Sequence, residues 1–252
     1  MLNKLNEISA IMDEASSCFI LTGSKLAQTL DIPDFRQAQV NSCASCTNEC
    51  HSDKEEGHSC HNHCQEENLY RLALSLLQKI KEVKPAAFHH LLAQLEQMNA
   101  VKGIITENVD SLHHLAGSQK IYELAGSLRQ AVCNKCRKPV PISVMIEKLK
   151  NKEMPPKCSC GGDLQPTLTA DYPQTILPLI QKEMQNCDLL VIVGSDLTDP
   201  LFSEIIPLAK KFCIINNENT AFDKDAAVVC HGPMEKLLED FTRSLSSQFC
   251  LD

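Results

Sequence analysis

The sequence predicts an α/β protein: a parallel sheet with helices on both faces, carrying a smaller cysteine-rich lobe. Three observations lead there. Short, continuous apolar runs recur along the 252 residues, several of them closing on Gly or Asn. Stretches with apolar residues at helical spacing lie between those runs, and two polar, Cys-packed stretches interrupt the alternation. Strands buried on both faces read as continuous apolar runs, and the helices between them are the crossovers of a parallel sheet.

The elements follow in chain order. Leu2, Leu5, Ile8 and Ile11 repeat as one face of a helix. Cys18-Phe19-Ile20-Leu21-Thr22 is a buried strand closed by Gly23. Leu69, Leu72, Leu76 and Ile80 form a helical stripe, and Phe88, Leu91, Leu92 and Leu95 form another after Pro85. Gly103-Ile104-Ile105-Thr106 and Ile121-Tyr122-Glu123-Leu124 are the next strands. Residues 173–186, 202–211 and 234–246 read as helices. Strands end at Gly194 after Leu189–Val193, at Asn216 after Phe212–Ile215, and at His231-Gly232-Pro233 after Ala226–Val229. Sheets of this kind bind ligands beyond the carboxyl ends of their strands. Gly23, Asn108, Gly194 and Asn216 follow four of them and mark where chemistry is expected. No internal repeat is present.

Composition narrows the function. Hydrophobic residues make up 43%, enough for a core, and the formal charge is −8. That balance argues against a nucleic-acid binder working by bulk charge, although it permits binding of basic protein tails. Trp is absent and aromatics are 4%, so stacking platforms for single strands are not expected. No run reaches the ~18 apolar residues of a membrane span. The first twenty residues show no export pattern, which predicts an intracellular protein, cytoplasmic or nuclear.

Fourteen cysteines in such a chain, clustered in close pairs, point to metal rather than disulfides. Cys133-x-x-Cys136, a spacer of 21 residues, then Cys158-x-Cys160-Gly161-Gly162 suits a tetrahedral, structural four-cysteine zinc site. The alternative, four buried free thiols, fits poorly with a polar, Gly-rich segment. Residues 41–68 are less defined. Cys43-x-x-Cys46-x-x-x-Cys50-His51 and His58-x-Cys60-His61-x-His63-Cys64 place nine possible ligands in 22 residues. They suffice for one zinc or two, match no single finger spacing, and otherwise form a solvated loop of redox-labile thiols. The expected division is a sheet domain over 1–40, 80–131 and 165–252, with a small lobe over 41–79 and 132–164.

Four stretches together resemble the sirtuin family: Leu21-Thr22-Gly23 leading to Ile32-Pro33-Asp34-Phe35-Arg36; Thr106-Glu107-Asn108-Val109-Asp110-Ser111-Leu112-His113 with Ala116-Gly117; Glu123-Leu124-Ala125-Gly126-Ser127-Leu128; and Gly194-Ser195-Asp196-Leu197 with Ile215-Asn216-Asn217-Glu218. The resemblance covers most of the chain outside roughly 37–80. It implies a Rossmann-like NAD domain, a zinc-ribbon lobe, and removal of acyl groups from lysine with NAD as co-substrate and a histidine as general base. It also implies roles. Asp34, Phe35 and Arg36 match the loop that closes over the nicotinamide ribose. Asn108 and Asp110 match the pair at the nicotinamide pocket, with Asp110 on the carboxamide. Gly23, Gly194 and Ser195 match the approach to the phosphates, and Asn216 the ribose-binding asparagine. His113 and His89 match family histidines that look structural, whereas His114 is extra.

The chain departs from the family at telling points. Ala125 stands where the catalytic histidine is expected, and a methyl group neither accepts nor delivers a proton. Lys25 replaces a glycine of the phosphate loop, Ala27 a serine and Asp31 a glycine; Lys25 and Asp31 are expected to weaken NAD binding. Glu107 replaces a glutamine. Thr167-Leu168-Thr169-Ala170-Asp171 lacks the aromatic and glycine of the family's substrate strand. The resulting expectation is a NAD-binding, zinc-containing sirtuin with impaired deacylation, whose partners are proteins with acylated lysine tails. The alternatives are an active deacylase inactivated by an engineered change at Ala125, a zinc-stabilised interaction scaffold without NAD turnover, and an ADP-ribosyltransferase.

Overall fold

The computed structural model describes residues 1–33, 60–168 and 172–251. Its strands are β1 (Cys18–Thr22), β2 (Gly103–Thr106), β3 (Ile121–Glu123), β4 (Gln130–Cys133), β5 (Pro139–Pro141), β6 (Leu164–Pro166), β7 (Cys187–Val193), β8 (Ala209–Asn216) and β9 (Val228–His231). Six of them form a parallel sheet in the order β3-β2-β1-β7-β8-β9. The chain runs outward from β1 through β2 to β3, then returns to β7 on the other side. The crevice at this reversal is where such sheets take ligands.

Strand geometry sends alternate side chains to opposite faces. In β1, Cys18 and Ile20 enter one core cluster, while Phe19 and Leu21 enter another. The first cluster is closed by helices Leu2–Glu14, Ala87–Gln97 and Met234–Gln248, through Leu5, Leu92 and Phe241 among others. Helix Tyr172–Glu183 and the turn Phe202–Ile205 close the second, through Ile180 and Phe202. Each fully buried Leu, Ile or Phe contributes about 1.5–3 kcal/mol, so the two layers hold the strand ends rigidly. The register Thr22↔Thr106 and Thr22↔Val193 sets three carboxyl ends level.

The smaller lobe is an antiparallel sheet in the order β5-β4-β6, with helix Ile142–Lys150 against it. Helix Cys60–Glu82 joins the two parts. Its Tyr70 packs with Ala131, Met145, Leu149 and Leu164, and the Tyr70 hydroxyl donates to the Leu164 carbonyl at 3.0 Å.

Some sequence expectations are corrected. The helix expected over 202–211 stops at Leu208, and β8 begins at Ala209. Pro207 sits in the short 3₁₀ turn Ile206–Leu208, and pairing of Ala209 with Cys187 overrides the helical pattern. The last strand lies two residues later than expected, because the ladder aligns Val228 with Cys213. Helix Ile142–Lys150 was not anticipated. Among the described residues, no helix is long and apolar enough to cross a membrane.

Candidate functional site

The crevice opens between the ends of β1 and β7. Gly23 N–H donates to the Val193 carbonyl at 2.9 Å, and Lys25 N–H to the Gly194 carbonyl at 3.0 Å, which ties the two loops together. A Cβ on Gly23 would stand 2.4 Å from Ser195 Cα, so only glycine allows this approach. Ser195 is fully buried; its hydroxyl donates to Glu107 Oε2 at 2.5 Å. Asn216, 1% exposed, donates through Nδ2 to the Ser195 carbonyl at 2.8 Å. Lys25 is half-buried beside Gly194, with no ion pair among the described residues. Asp31 is exposed and left-handed (φ 58°), which explains why a glycine suits that position; Asp adopts this region at modest cost.

The loop after β2 supplies the deepest polar groups. Asp110 is 2% exposed; its Oδ1 accepts Leu112 N–H at 2.8 Å, while Oδ2 has no partner among the described residues. Burial pushes its carboxyl up to about 6, against the pull of the Leu112 N–H. Asn108 is also buried, its N–H bound to Thr106 Oγ1 and its Nδ2 without a partner among the described residues. Two buried side chains thus present unused hydrogen-bonding atoms in one loop, an arrangement that ordinarily signals a ligand or water. Ser111 between them and the next helix is left-handed (φ 63°), a strained position for a non-glycine residue.

Three polar residues that sequence reasoning did not connect fix this loop. His113 Nε2 lies 2.9 Å from Thr22 Oγ1, which donates to Thr106 Oγ1 at 2.9 Å. That hydroxyl in turn holds Asn108 N–H at 3.0 Å. The donor sequence places the ring proton of His113 on Nε2. Burial depresses His113, and also His89, whose ring centroid lies 4.8 Å away. His114 faces Glu123 at 3.7 Å and is lowered by burial to about 4. On the other flank, His231 Nδ1 lies 3.2 Å from the Asn216 carbonyl and Nε2 lies 2.7 Å from Asp223 Oδ2.

Ala125 follows β3 and is half-buried. It packs with Val109, Leu128, Leu168 and the Ala73-Leu76-Leu77 face of helix Cys60–Glu82. Gly126 (φ 84°) would put a Cβ 1.6 Å from the Thr167 carbonyl oxygen. Thr167 Oγ1 also donates to the Ser127 carbonyl at 2.6 Å. The turn that carries Ala125 is therefore pinned to the segment after β6.

Cys133, Cys136, Cys158 and Cys160 come together, with all four Sγ atoms within 4.8 Å of one another. Cys133 and Cys160 are 3.5 Å apart, and Cys136 and Cys158 3.9 Å. A tetrahedron of sulfurs around zinc, at Zn–S about 2.3 Å, has edges of about 3.8 Å, so the cluster fits a structural zinc. Backbone N–H groups of Cys136 and Cys160 hold the Cys133 and Cys158 thiols below their ordinary range, Cys158 at about 6. Asp34, Phe35, Arg36, Cys43, Cys46 and Cys50, together with Thr169, Ala170 and Asp171, lie outside the described residues, as do the side chains of Cys60 and Cys64.

Comparison with known proteins agrees with this geometry. The Sir2 family model matches residues 23–199. The NAD-dependent protein deacetylase 2 of Caldanaerobacter subterraneus subsp. tengcongensis is 30% identical over 231 residues, 90% of each chain. The NAD-dependent protein deacetylase of Clostridium acetobutylicum is 30% identical over 95% of this chain and 98% of its own. A Sir2 structure bound to a propionylated peptide superposes with a TM-score of 0.78 at 25% identity, covering 98% of both chains. Another, bound to an acetylated peptide, has a TM-score of 0.77 at 25% identity and the same coverage. With its sheet order, its four-cysteine cluster and these matches, the chain belongs to the Sir2 family of sirtuins.

Proposed function

We propose that this chain is a NAD-binding sirtuin whose protein-lysine deacylation is impaired. The observation that carries the reading is Ala125. A side chain at Gly126 would collide with the Thr167 carbonyl, so the position next to Ala125 does not supply the base in its place. A positioned base contributes about 10²–10⁴-fold, and a loss of that order is expected here.

The residues present fit the cofactor. Gly23, Gly194 and Ser195 would hold the phosphate side, and Asn216 a ribose. Asn108 and Asp110 would receive the carboxamide with the buried atoms that have no partner among the described residues. Asp34, Phe35 and Arg36 join this set through the family resemblance. When bound, NAD would supply the ribose carbon that takes the acyl oxygen as its bond to nicotinamide breaks and nicotinamide leaves. Lys25, beside Gly194, adds bulk to the cradle and makes binding weaker than the fold allows. The substrate class is an acylated lysine in a protein tail, as in the peptide complexes of the structural relatives.

The test is calorimetric titration of NAD into the zinc-loaded chain, with Asp110→Ala as control, beside a deacylation assay of parent and Ala125→His. Saturable binding lost in the control, no turnover by the parent and turnover by Ala125→His are expected. Robust deacylation by the parent refutes impairment. Absence of binding at millimolar NAD refutes the cofactor reading and leaves a zinc-stabilised interaction module.

A further inference from the structure

We propose that the zinc lobe carries a docking groove for an acidic protein segment anchored by apolar side chains. The inference is independent of NAD and of Ala125. It starts from charge. Residues 132–164 hold seven Lys or Arg against three Asp or Glu, in a chain whose formal charge is −8. Four thiolates around Zn²⁺ would add about −2, so the zinc-loaded lobe stays net positive on an acidic molecule. Lys135, Arg137, Lys138, Lys150 and Lys152 are exposed and have no ion pair among the described residues. Lys148 pairs with Glu153, and Lys157 with Asp163.

The second observation is a cavity of about 330 Å³ on this lobe. Val140 and Val144 supply an apolar floor over the buried Leu164, Lys138, Lys148 and Lys157 stand around it, and the metal-site residue Cys158 also lines it. Val144 is 38% exposed on a helix whose Met145 and Leu149 face inward, so an aliphatic surface is left open to solvent. Apolar floors with charged rims are the anatomy of protein contacts, where the rim sets sign and approach and the floor supplies affinity.

The chemistry selects the occupant. Lysine ammonium groups favour carboxylates or phosphates. Residues 132–164 contain no Phe, Tyr or Trp, so bases of a single strand find nothing to stack on. A phosphodiester backbone also has no apolar group for the floor. A peptide that alternates Glu or Asp with Leu or Ile satisfies both rim and floor.

The experiment is fluorescence anisotropy on the zinc-loaded full chain. The probes are a labelled peptide alternating Glu and Leu, the same peptide with Leu replaced by Ser, the same with Glu replaced by Lys, and a thymidine oligonucleotide. Lys138→Glu and Val144→Ser are the variants; neither residue ligates metal, and retained zinc content and circular dichroism report their folding. The Glu/Leu peptide is expected to saturate, to weaken as salt rises, and to lose about tenfold in affinity in each variant. Equal binding by parent and both variants, equal or tighter binding of the oligonucleotide, or no saturation by the Glu/Leu peptide overturns the proposal.

Discussion

Asp110→Asn separates the demands of the site from those of the fold. The substitution keeps the side-chain shape and the acceptor for Leu112 N–H, and removes the charge. Burial raises the Asp110 carboxyl from 3.8 to about 6. Each pH unit of that rise corresponds to about 1.4 kcal/mol. Ionising Asp110 in the folded chain thus costs roughly 3 kcal/mol more than ionising it in the unfolded chain. Its folded value is the higher one, so the folded state binds the proton more tightly. The stabilising contribution is complete below the unfolded value and is lost as pH rises through about 6. Asparagine does not titrate. The variant should therefore gain on the parent by roughly 3 kcal/mol between about pH 4 and pH 7. The new Nδ2 donor lacks a partner and adds a fixed offset of ~1–3 kcal/mol, which cancels when the difference is followed across pH. Urea unfolding of both chains at matched zinc over this range is the assay. A stability difference that stays flat with pH refutes the reasoning. The same variant should lose NAD binding, so a residue that weakens the apo fold above about pH 6 would be retained for its ligand.

Other perturbations test the neighbouring features. His89 shifts the opposite way: burial lowers it from 6.5 to about 4. Its contribution of roughly 3 kcal/mol is complete above the unfolded value and lost as pH falls through the folded one, so His89→Asn should unfold with a smaller loss of stability on acidification. Gly126→Ala must move the backbone against the Thr167 carbonyl and should cost at least ~3 kcal/mol, read as a lowered Tm. Cys158→Ser, or a chelator, should release the metal and expose β4 to β6 to proteolysis, since the packing of Tyr70, Met145 and Leu164 is built around that sheet.

Much of the fold was legible because the central strands are continuous apolar runs, which leave few alternatives. Leu189–Val193 and Phe212–Ile215 lie within the observed β7 and β8. Where side chains face both solvent and core, the pattern misled. Ala209, Lys210 and Lys211 read as the end of a helix, yet they extend β8 because β7 offers a pairing edge. Ile142, Met145, Ile146 and Leu149 are at helical spacing, but the surrounding lysines and prolines concealed that stripe. The four-cysteine cluster was readable from spacing alone, since thiolate ligation leaves a local signature. The hydrogen bonds from Ser195 to Glu107 and from Thr22 to Thr106 join residues 88 and 84 positions apart and leave none.

The surroundings of Ala125 bear on how its repair should behave. Val109 lies between Asn108 and Asp110, and it packs on the apolar cluster that holds Ala125, Leu128 and Leu168. The same loop therefore carries two polar atoms without a partner among the described residues and, through Val109, an aliphatic wall. An imidazole introduced at this position by Ala125→His would rest against that wall. Burial disfavours its charged form, as it does for His89 and His113. The introduced ring should thus be neutral near pH 7 and able to accept a proton, as a general base requires. If Ala125→His binds NAD as the parent does yet stays inert, the missing base is not the principal lesion. The fault would then lie in the segment after β6, where Thr167 is bonded to Ser127 and Leu168 is buried in the cluster.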